Sequence, residues 1–396
     1  MRPLKTNYLR MKVLHCCLAA FYIDDFGYQE NILPKMHKLQ GHEVKILAST
    51  ENYINKTKKG YVKPASYFTS EGIPITRIPF VSYLPNFLVR KLRIYENIYE
   101  NISNFKPDII FIHDCQFMGV TEIRKYLIQN PEVKVFADCH TDFINSGKNW
   151  ISKNILHKVI YKWCVKRIEP YVLKFYGTLP LRAAFYNQIY GVAINKLDVL
   201  PFGADYSNIN FNDKENIRLE IREKLGIKKE DFVLLSGGKI DKRKNIDLLI
   251  NSIEKVRHKS IKLIVFGKPS VEMEEFFRSL VKNDKIIILD WVDSNKIYEL
   301  IFAADLGVFP GTHSVIWEQA LGFGLPCIFK KWEGMEHLDF GGNCLFLKEE
   351  SVEEITSQLN QVIEKEHLYE GMLNRCTEEG PQRFSYYNIA EKAIQI

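Results

Sequence analysis

No stretch of this chain approaches the roughly 20 consecutive apolar residues of a membrane-spanning helix, and its eight cysteines include no CxxC pair. The first absence argues against a helical membrane span, and the second against the common cysteine-based zinc and dithiol motifs. Cys16, Cys17, Cys115, Cys139, Cys164, Cys327, Cys344 and Cys376 lie in apolar, strand-like or helix-like surroundings. That context suits reduced core thiols, so a cytoplasmic location is expected. Met1 to Arg10 is polar and basic and lacks the apolar core of a signal peptide. The residues before Met11 read as a short tail, with Met11 a candidate start. No internal repeat and no low-complexity segment is present. Residues 148 to 167 contain six Lys/Arg and no acid.

The 396 residues, 46% of them hydrophobic with 25 Phe and 20 Tyr, are enough for two well-packed domains of ordinary size. The net charge of +6 conceals an asymmetry. Residues 1 to 200 carry 28 Lys/Arg against 16 Asp/Glu, a surplus of 12, and the remainder 26 against 32, a deficit of 6. The first half is the half expected to face something anionic.

Along the chain, an apolar strand at Met11 to Leu18 leads through a loop with Asp24, Asp25 and Gly27 into a helical pattern ending at Gly41-His42, then a strand at Val44 to Ala48. This is the first βαβ unit of a parallel sheet. Further strands are expected at Ile75 to Ile78, Ile109 to His113, Val133 to Ala137, Phe175 to Thr178 and Asp198 to Leu200. A second alternation starts at Phe232 to Leu235 and continues through Lys262 to Phe266, Ile286 to Leu289, Leu306 to Phe309 and Cys327 to Phe329. Helices are expected between these strands, from Asn245, through Val281, from Ser294 and from Trp317. The pattern predicts two Rossmann-like domains in tandem, over 11–201 and 231–380, with a polar linker over 202–230 and a C-terminal segment over 381–396 that returns to the first domain.

Gly237-Gly238-Lys239-Ile240-Asp241-Lys242-Arg243-Lys244-Asn245 follows the first strand of the second domain. A glycine turn there would bring Lys239 and Lys244, free backbone N–H groups and a helix N-terminus to one point, as a diphosphate site requires; a solvated basic turn is the alternative. His313 and Ser314 follow another strand end at Phe309-Pro310-Gly311. Glu318 and Gln319 on the next helix are candidates for ribose hydroxyls, with an exposed helical face as the alternative for one of them. In the first domain His113 and His140 each end a strand. His140, flanked by Asp138, Thr141 and Asp142, is the stronger candidate for a proton carrier, and His15, inside a strand, reads as a core residue. The turn with Asp24, Asp25, Tyr28 and Gln29 would repel phosphate and is expected to meet hydroxyls. In the acid-free segment, Trp150, Ile151, Ile155, Val159 and Trp163 recur at helical spacing. They fit either an anionic membrane surface or a core-facing helix with a solvated basic side.

These motifs resemble the GT-B glycosyltransferases of the family 4 (group 1) kind that build bacterial surface polysaccharides. The resemblance runs through Asp24 to Gln29, Gly41-His42-Glu43-Val44, Tyr190-Gly191-Val192, Lys196 to Asp205, Gly238-Lys239 with Lys244-Asn245, Trp291-Val292 and Ala304 to Pro310. It departs from the family at the E-x7-E motif, where Gly311 and Gln319 stand at the two glutamate positions. The resemblance implies two Rossmann-like doubly wound domains facing across a cleft, and transfer of a sugar, with retention, from a UDP- or GDP-linked donor to a glycan or polyprenyl-diphosphate-linked acceptor.

Within that frame Gly238, Lys239, Lys244, Asn245, His313, Ser314, Glu318, Gln319 and Glu336 are expected to bind the donor. His140 and Asp142 are expected at the reacting centre, and Asp24, Asp25, Tyr28, Gln29 and His113 at the acceptor. No metal, no other cofactor and no nucleic acid is expected, because the lysines would neutralise the leaving diphosphate. The expected location is cytoplasmic, at the inner face of the cell membrane if the basic helix binds lipid. The alternative is a catalytically silent subunit of the same fold that binds glycan or a partner enzyme.

Overall fold

The computed structural model describes residues 10–54, 58–142, 146, 149–207, 209–258, 260–279 and 284–395. Residues 1–9 of the expected tail, Lys148, the expected helix end at Val281 and Ile396 lie outside the described residues. The chain divides into two compact units, Met1–Pro201 with Ile389–Ile396, and Phe202–Asn388.

The first unit is built on an eight-stranded sheet. Its strands are β1 (Lys12–Cys17), β2 (Glu43–Ser49), β5 (Ala65–Phe68), β6 (Pro74–Ile78), β7 (Ile109–His113), β8 (Lys134–Cys139), β9 (Val172–Gly177) and β10 (Leu197–Val199). A separate antiparallel pair, β3 (Glu51–Ile54) and β4 (Lys58–Tyr61), interrupts the numbering. The order across the sheet is β10-β9-β8-β7-β1-β2-β6-β5, parallel except where β5 runs antiparallel to β6. The central strands are apolar almost throughout and buried along their length, as parallel strands covered on both faces must be. From β1 the chain adds strands on one side and then crosses to β7 on the other. The switch point is therefore between β1 and β7.

The second unit repeats the plan with six parallel strands: β11 (Phe232–Gly237), β12 (Ile261–Phe266), β13 (Ile286–Leu289), β14 (Leu306–Phe309), β15 (Cys327–Lys330) and β16 (Cys344–Leu347). Their order is β13-β12-β11-β14-β15-β16, so its switch point lies between β11 and β14. In open α/β sheets ligands bind beyond the carboxyl ends of the strands at such a point.

The stretch 202–230 was expected to be a linker, and it belongs instead to the second unit. It forms the helix Lys214–Lys224, from which Arg218 and Arg222 both reach Asp305, at 2.5 and 2.7 Å. Polar surface residues masked an element whose partners lie about 85 residues away in sequence.

All eight cysteines are free and buried. The basic segment also differs from its expected form. Ser152–Tyr161 is wound as a π-helix, with the Lys162 amide donating to the His157 carbonyl, before a short α-helix at Lys162–Ile168. The wider winding turns Leu156, His157 and Tyr161 inward. It leaves Trp150 and Ile151 70% and 65% exposed and Val159 61% exposed, with Ile155 and Trp163 also at the surface. Among the described residues no helix is long and apolar enough to cross a membrane.

Candidate active site

In the second unit, two turns meet beyond β11 and β14. Gly237 packs so closely that a Cβ there would lie 2.4 Å from the Phe266 carbonyl oxygen, and Gly238 adopts φ +112°, which only glycine tolerates readily. The Gly238 amide is not free, however: it donates to the Phe266 carbonyl at 3.0 Å. The turn also does not run straight into a helix. A 3₁₀ turn, Lys242–Lys244, comes first, with the Asp241 side chain accepting from the Arg243 amide, and the helix Ile246–Ile253 follows. Part of the expected ring of free amides, those of Gly238, Ile240, Arg243, Lys244 and Asn245, is thus already paired within the protein.

What joins the two turns is Lys244. Its Nζ donates to the carbonyls of Thr312 (2.7 Å) and His313 (3.1 Å), while the Asn245 carboxamide donates to the Pro310 carbonyl at 3.1 Å and the Thr312 amide to the Arg243 carbonyl at 2.9 Å. Burial lowers the Lys244 ammonium to about 8. Lys239, by contrast, is exposed. Ser314 closes the arrangement, with its hydroxyl 3.9 Å from where a Gly238 Cβ would sit.

Gly311, at the position of the family's first glutamate, has no space for a side chain. A Cβ would lie 2.2 Å from the Arg243 carbonyl oxygen and 2.4 Å from Lys244 Cα. Gly311→Glu is therefore expected to destabilise the protein by about 1–3 kcal/mol and to weaken nucleotide binding. Urea unfolding and a binding titration on that variant check both effects.

Glu318 does not face a ribose site. Its carboxylate is fully buried and accepts from His313 Nε2 (2.9 and 3.0 Å) and from His337 Nε2 (3.0 Å). Burial pushes its pKa upward, but the two histidines outweigh that and hold it at about 2. His337 carried no sequence signal. The half-buried Gln319 is left as the helix residue able to meet a ligand, and Glu336 is exposed, accepting from the Gly334 amide. A concavity of about 250 Å³ lined by Lys214, Arg218, Asp305 and Tyr369 lies at the opposite end of β14, where Asp305 and the two arginines already satisfy each other.

In the first unit the switch point gathers buried titratable groups. His113 and Asp138 are register partners on β7 and β8, with His113 Nδ1 2.7 Å from Asp138 Oδ2. His140, just beyond β8, has Nε2 3.2 Å from Asp138 Oδ1 and 3.8 Å from Glu30. Burial lowers the His140 pKa, but Asp138 and Glu30 overcome this and raise it to about 9. Burial likewise pushes the Asp138 pKa upward, yet His113 and His140 hold it below the carboxylate range. His113, Asp138 and His140 offer three possible ligand atoms within 4.8 Å of one another. Their close donor–acceptor pairing forms a hydrogen-bonded cluster.

Several acceptor candidates stand corrected here. His113 is fully buried with both ring nitrogens engaged, so it cannot meet an acceptor. The Asp24 carboxylate is tied to Asn52, Tyr67 and Arg77, while Gln29 is 1% exposed. Asp25, in the left-handed region at φ 61°, and Tyr28 remain on the surface of the turn. Asp142, expected beside His140 as a reacting group, is buried in an ion pair with Arg182 at 3.1 Å.

Residues 217–383 match the family described as Glycosyl transferases group 1. The match spans 167 of the 396 residues, all within the second unit. An uncharacterized glycosyltransferase of Methanocaldococcus jannaschii is 20% identical over 369 residues, 90% of this chain and 89% of that protein. The structure of Anabaena Alr3699/HepE in complex with UDP superposes with TM-score 0.66 at 14% identity, covering 96% and 98% of the two chains. WaaG, a glycosyltransferase involved in lipopolysaccharide biosynthesis, does so with TM-score 0.57 at 16% identity, covering 96% and 98%. At these identities the superpositions establish the GT-B fold of two Rossmann-like domains. The family match and the glycosyltransferase relative make the protein a glycosyltransferase.

Proposed function

We propose that this glycosyltransferase moves a sugar from a UDP- or GDP-linked donor to a glycan or lipid-linked oligosaccharide acceptor in surface-polysaccharide synthesis, with retention and without a metal. The observation that carries the donor reading is the Lys244 ammonium, half-buried at the β11/β14 switch point and held between two turns that glycines bring into contact. A fixed cation there can take the developing charge of a leaving diphosphate. HepE in complex with UDP and WaaG in lipopolysaccharide biosynthesis support the donor class and the pathway class respectively. Lys239, Asn245, His313, Ser314 and Gln319 complete the donor side, and His140 supplies the polar group at the reacting centre. Asp25 and Tyr28 face the acceptor.

The test is a panel of UDP- and GDP-sugars, reading thermal stabilisation and release of the nucleoside diphosphate. A donor that stabilises the protein and is turned over with an acceptor supports the proposal. Stabilisation without any transfer or hydrolysis favours the silent subunit, which the closed space at Gly311 would suit.

For the acceptor we propose a lipid-linked molecule approached from the cytoplasmic membrane surface. Trp150, Ile151, Ile155, Val159 and Trp163 stand exposed among Lys153, Lys158, Lys162 and Arg167, a pairing of apolar and cationic groups that suits an anionic interface. Trp150→Ala with Trp163→Ala is expected to lower binding to phosphatidylglycerol vesicles about tenfold or more. Equal flotation of variant and wild type would refute the membrane role.

A further inference from the structure

Four hydrogen bonds link five groups in one line through the first unit. The Ala390 carbonyl, near the end of the helix Tyr386–Ala393, meets His37 Nε2 at 2.8 Å. His37 Nδ1 meets His15 Nε2 at 2.9 Å, His15 Nδ1 meets His113 Nε2 at 2.9 Å, and His113 Nδ1 meets Asp138 Oδ2 at 2.7 Å. His15, His37 and His113 are each 0% exposed.

Each link needs one proton, so the line needs four. A carbonyl and an ionised carboxylate at the two ends bring none, and three neutral imidazoles bring three. Because the Ala390 carbonyl can only accept, His37 must carry its proton on Nε2 and accept on Nδ1. That in turn fixes His15 and then His113 in the Nε2–H form. His113 Nδ1 would then point a lone pair at a carboxylate unless a fourth proton is present. We propose that His37, His15 and His113 are positioning residues for His140, and that the Ala390 carbonyl, acting through them, installs a permanent imidazolium–carboxylate pair, His113 with Asp138, behind it.

Three observations place the extra proton on His113. Asp138 Oδ1 also accepts from the Asp114 amide at 3.1 Å and lies 3.2 Å from His140 Nε2, an environment that keeps the carboxylate ionised. The charges around His140 then balance, with Asp138 and the nearby Glu30 against His113 and His140, Asp142 against Arg182, and Asp114 against Arg93. Burial and the neighbouring imidazoles also push His15 well down and His37 to about 3, so neither is the cation. Other groups facing the line include His42, against the His37 ring, Asp114, whose own pKa burial raises, and the thiols of Cys17, Cys115 and Cys139, which burial pushes up and keeps neutral.

The idea rests on the transferase reading only for its kinetic consequence, and its test is spectroscopic. In ¹⁵N-histidine-labelled full-length protein at neutral pH, long-range ¹H–¹⁵N spectra are expected to show His15 and His37 as neutral Nε2–H tautomers and His113 protonated on both nitrogens. His37→Gln, whose amide can donate to Ala390 and accept from His15, should preserve this pattern. His37→Met removes the anchor, so His15 and His113 can reverse their tautomers and satisfy every remaining link without the fourth proton. His113 should then become neutral, and with Asp138 no longer neutralised the His140 titration should move up by about one pH unit or more. The alkaline limb of the transfer rate should move with it.

A neutral His113 in the wild type, identical spectra for the two variants, or a stoichiometric divalent ion retained by the purified protein would each overturn the proposal. If the spectra behave as expected while the transfer profile stays fixed, the role of His140 in transfer falls and the chain stands.

Discussion

Lys244→Ala is expected to abolish the thermal stabilisation that a nucleotide-sugar gives, while Lys239→Ala only weakens it. Both residues are cations, but only Lys244 is held in place, by the Thr312 and His313 carbonyls, and partly desolvated. A charge-assisted hydrogen bond contributes about 1.5–3 kcal/mol, so losing one weakens donor binding roughly 10- to 150-fold. A ligand at 100 times its dissociation constant stabilises the folded protein by about 2.7 kcal/mol, and a loss of that size leaves little to detect.

The same residue sets a pH dependence. The free-protein ammonium of Lys244 titrates at about 8. Below that pH the cation is present and binding is at full strength, and as pH rises through 8 affinity should fall by up to tenfold per unit. An affinity that is flat from pH 7 to 10, measured by calorimetry, would mean that Lys244 does not touch the diphosphate.

Glu318→Ala is expected to be the most destabilising single change in the second unit, by about 3–5 kcal/mol. It leaves His313 and His337 without their acceptor in a largely buried place, with Trp317 and Phe202 packed on the His313 ring. The pH signature has a definite sign. Because the folded carboxylate titrates at about 2 against an ordinary 4.5, its contribution is complete above 4.5 and is lost as the pH falls toward 2. The urea midpoints of wild type and Glu318→Ala should therefore converge on acidification. A variant within about 1 kcal/mol of wild type at pH 7 would show that the buried carboxylate is not a keystone.

Legibility from sequence followed the range of the interactions. Most strands of both sheets were readable because a parallel strand is apolar along its whole length, and the ends of β7, β13 and β14 fell at the expected residues, whereas the edge strands β5 and β16 were missed. Gly238 and Lys244-Asn245 were readable because a glycine turn and a cation have local signatures. The helix Lys214–Lys224 was missed because its purpose, an ion pair with Asp305, is not local. Glu318 was misjudged as a ligand contact because a carboxylate on a helix gives no sign of whether histidines 5 positions before and 19 positions after will close over it. His113 was misjudged similarly, since its register partner on β8 and its ring partner on β1 come from two other strands.

The sequence alone determined that this is a two-domain α/β protein with a glycine-and-lysine turn in its second half, because periodicity, turn glycines and charge are properties of neighbouring residues. Tertiary structure decided which titratable groups meet. Only the crossing of the chain between β1 and β7, and between β11 and β14, brings distant side chains to a sheet edge, and only burial there decides whether a histidine or a carboxylate faces solvent, another side chain or a ligand.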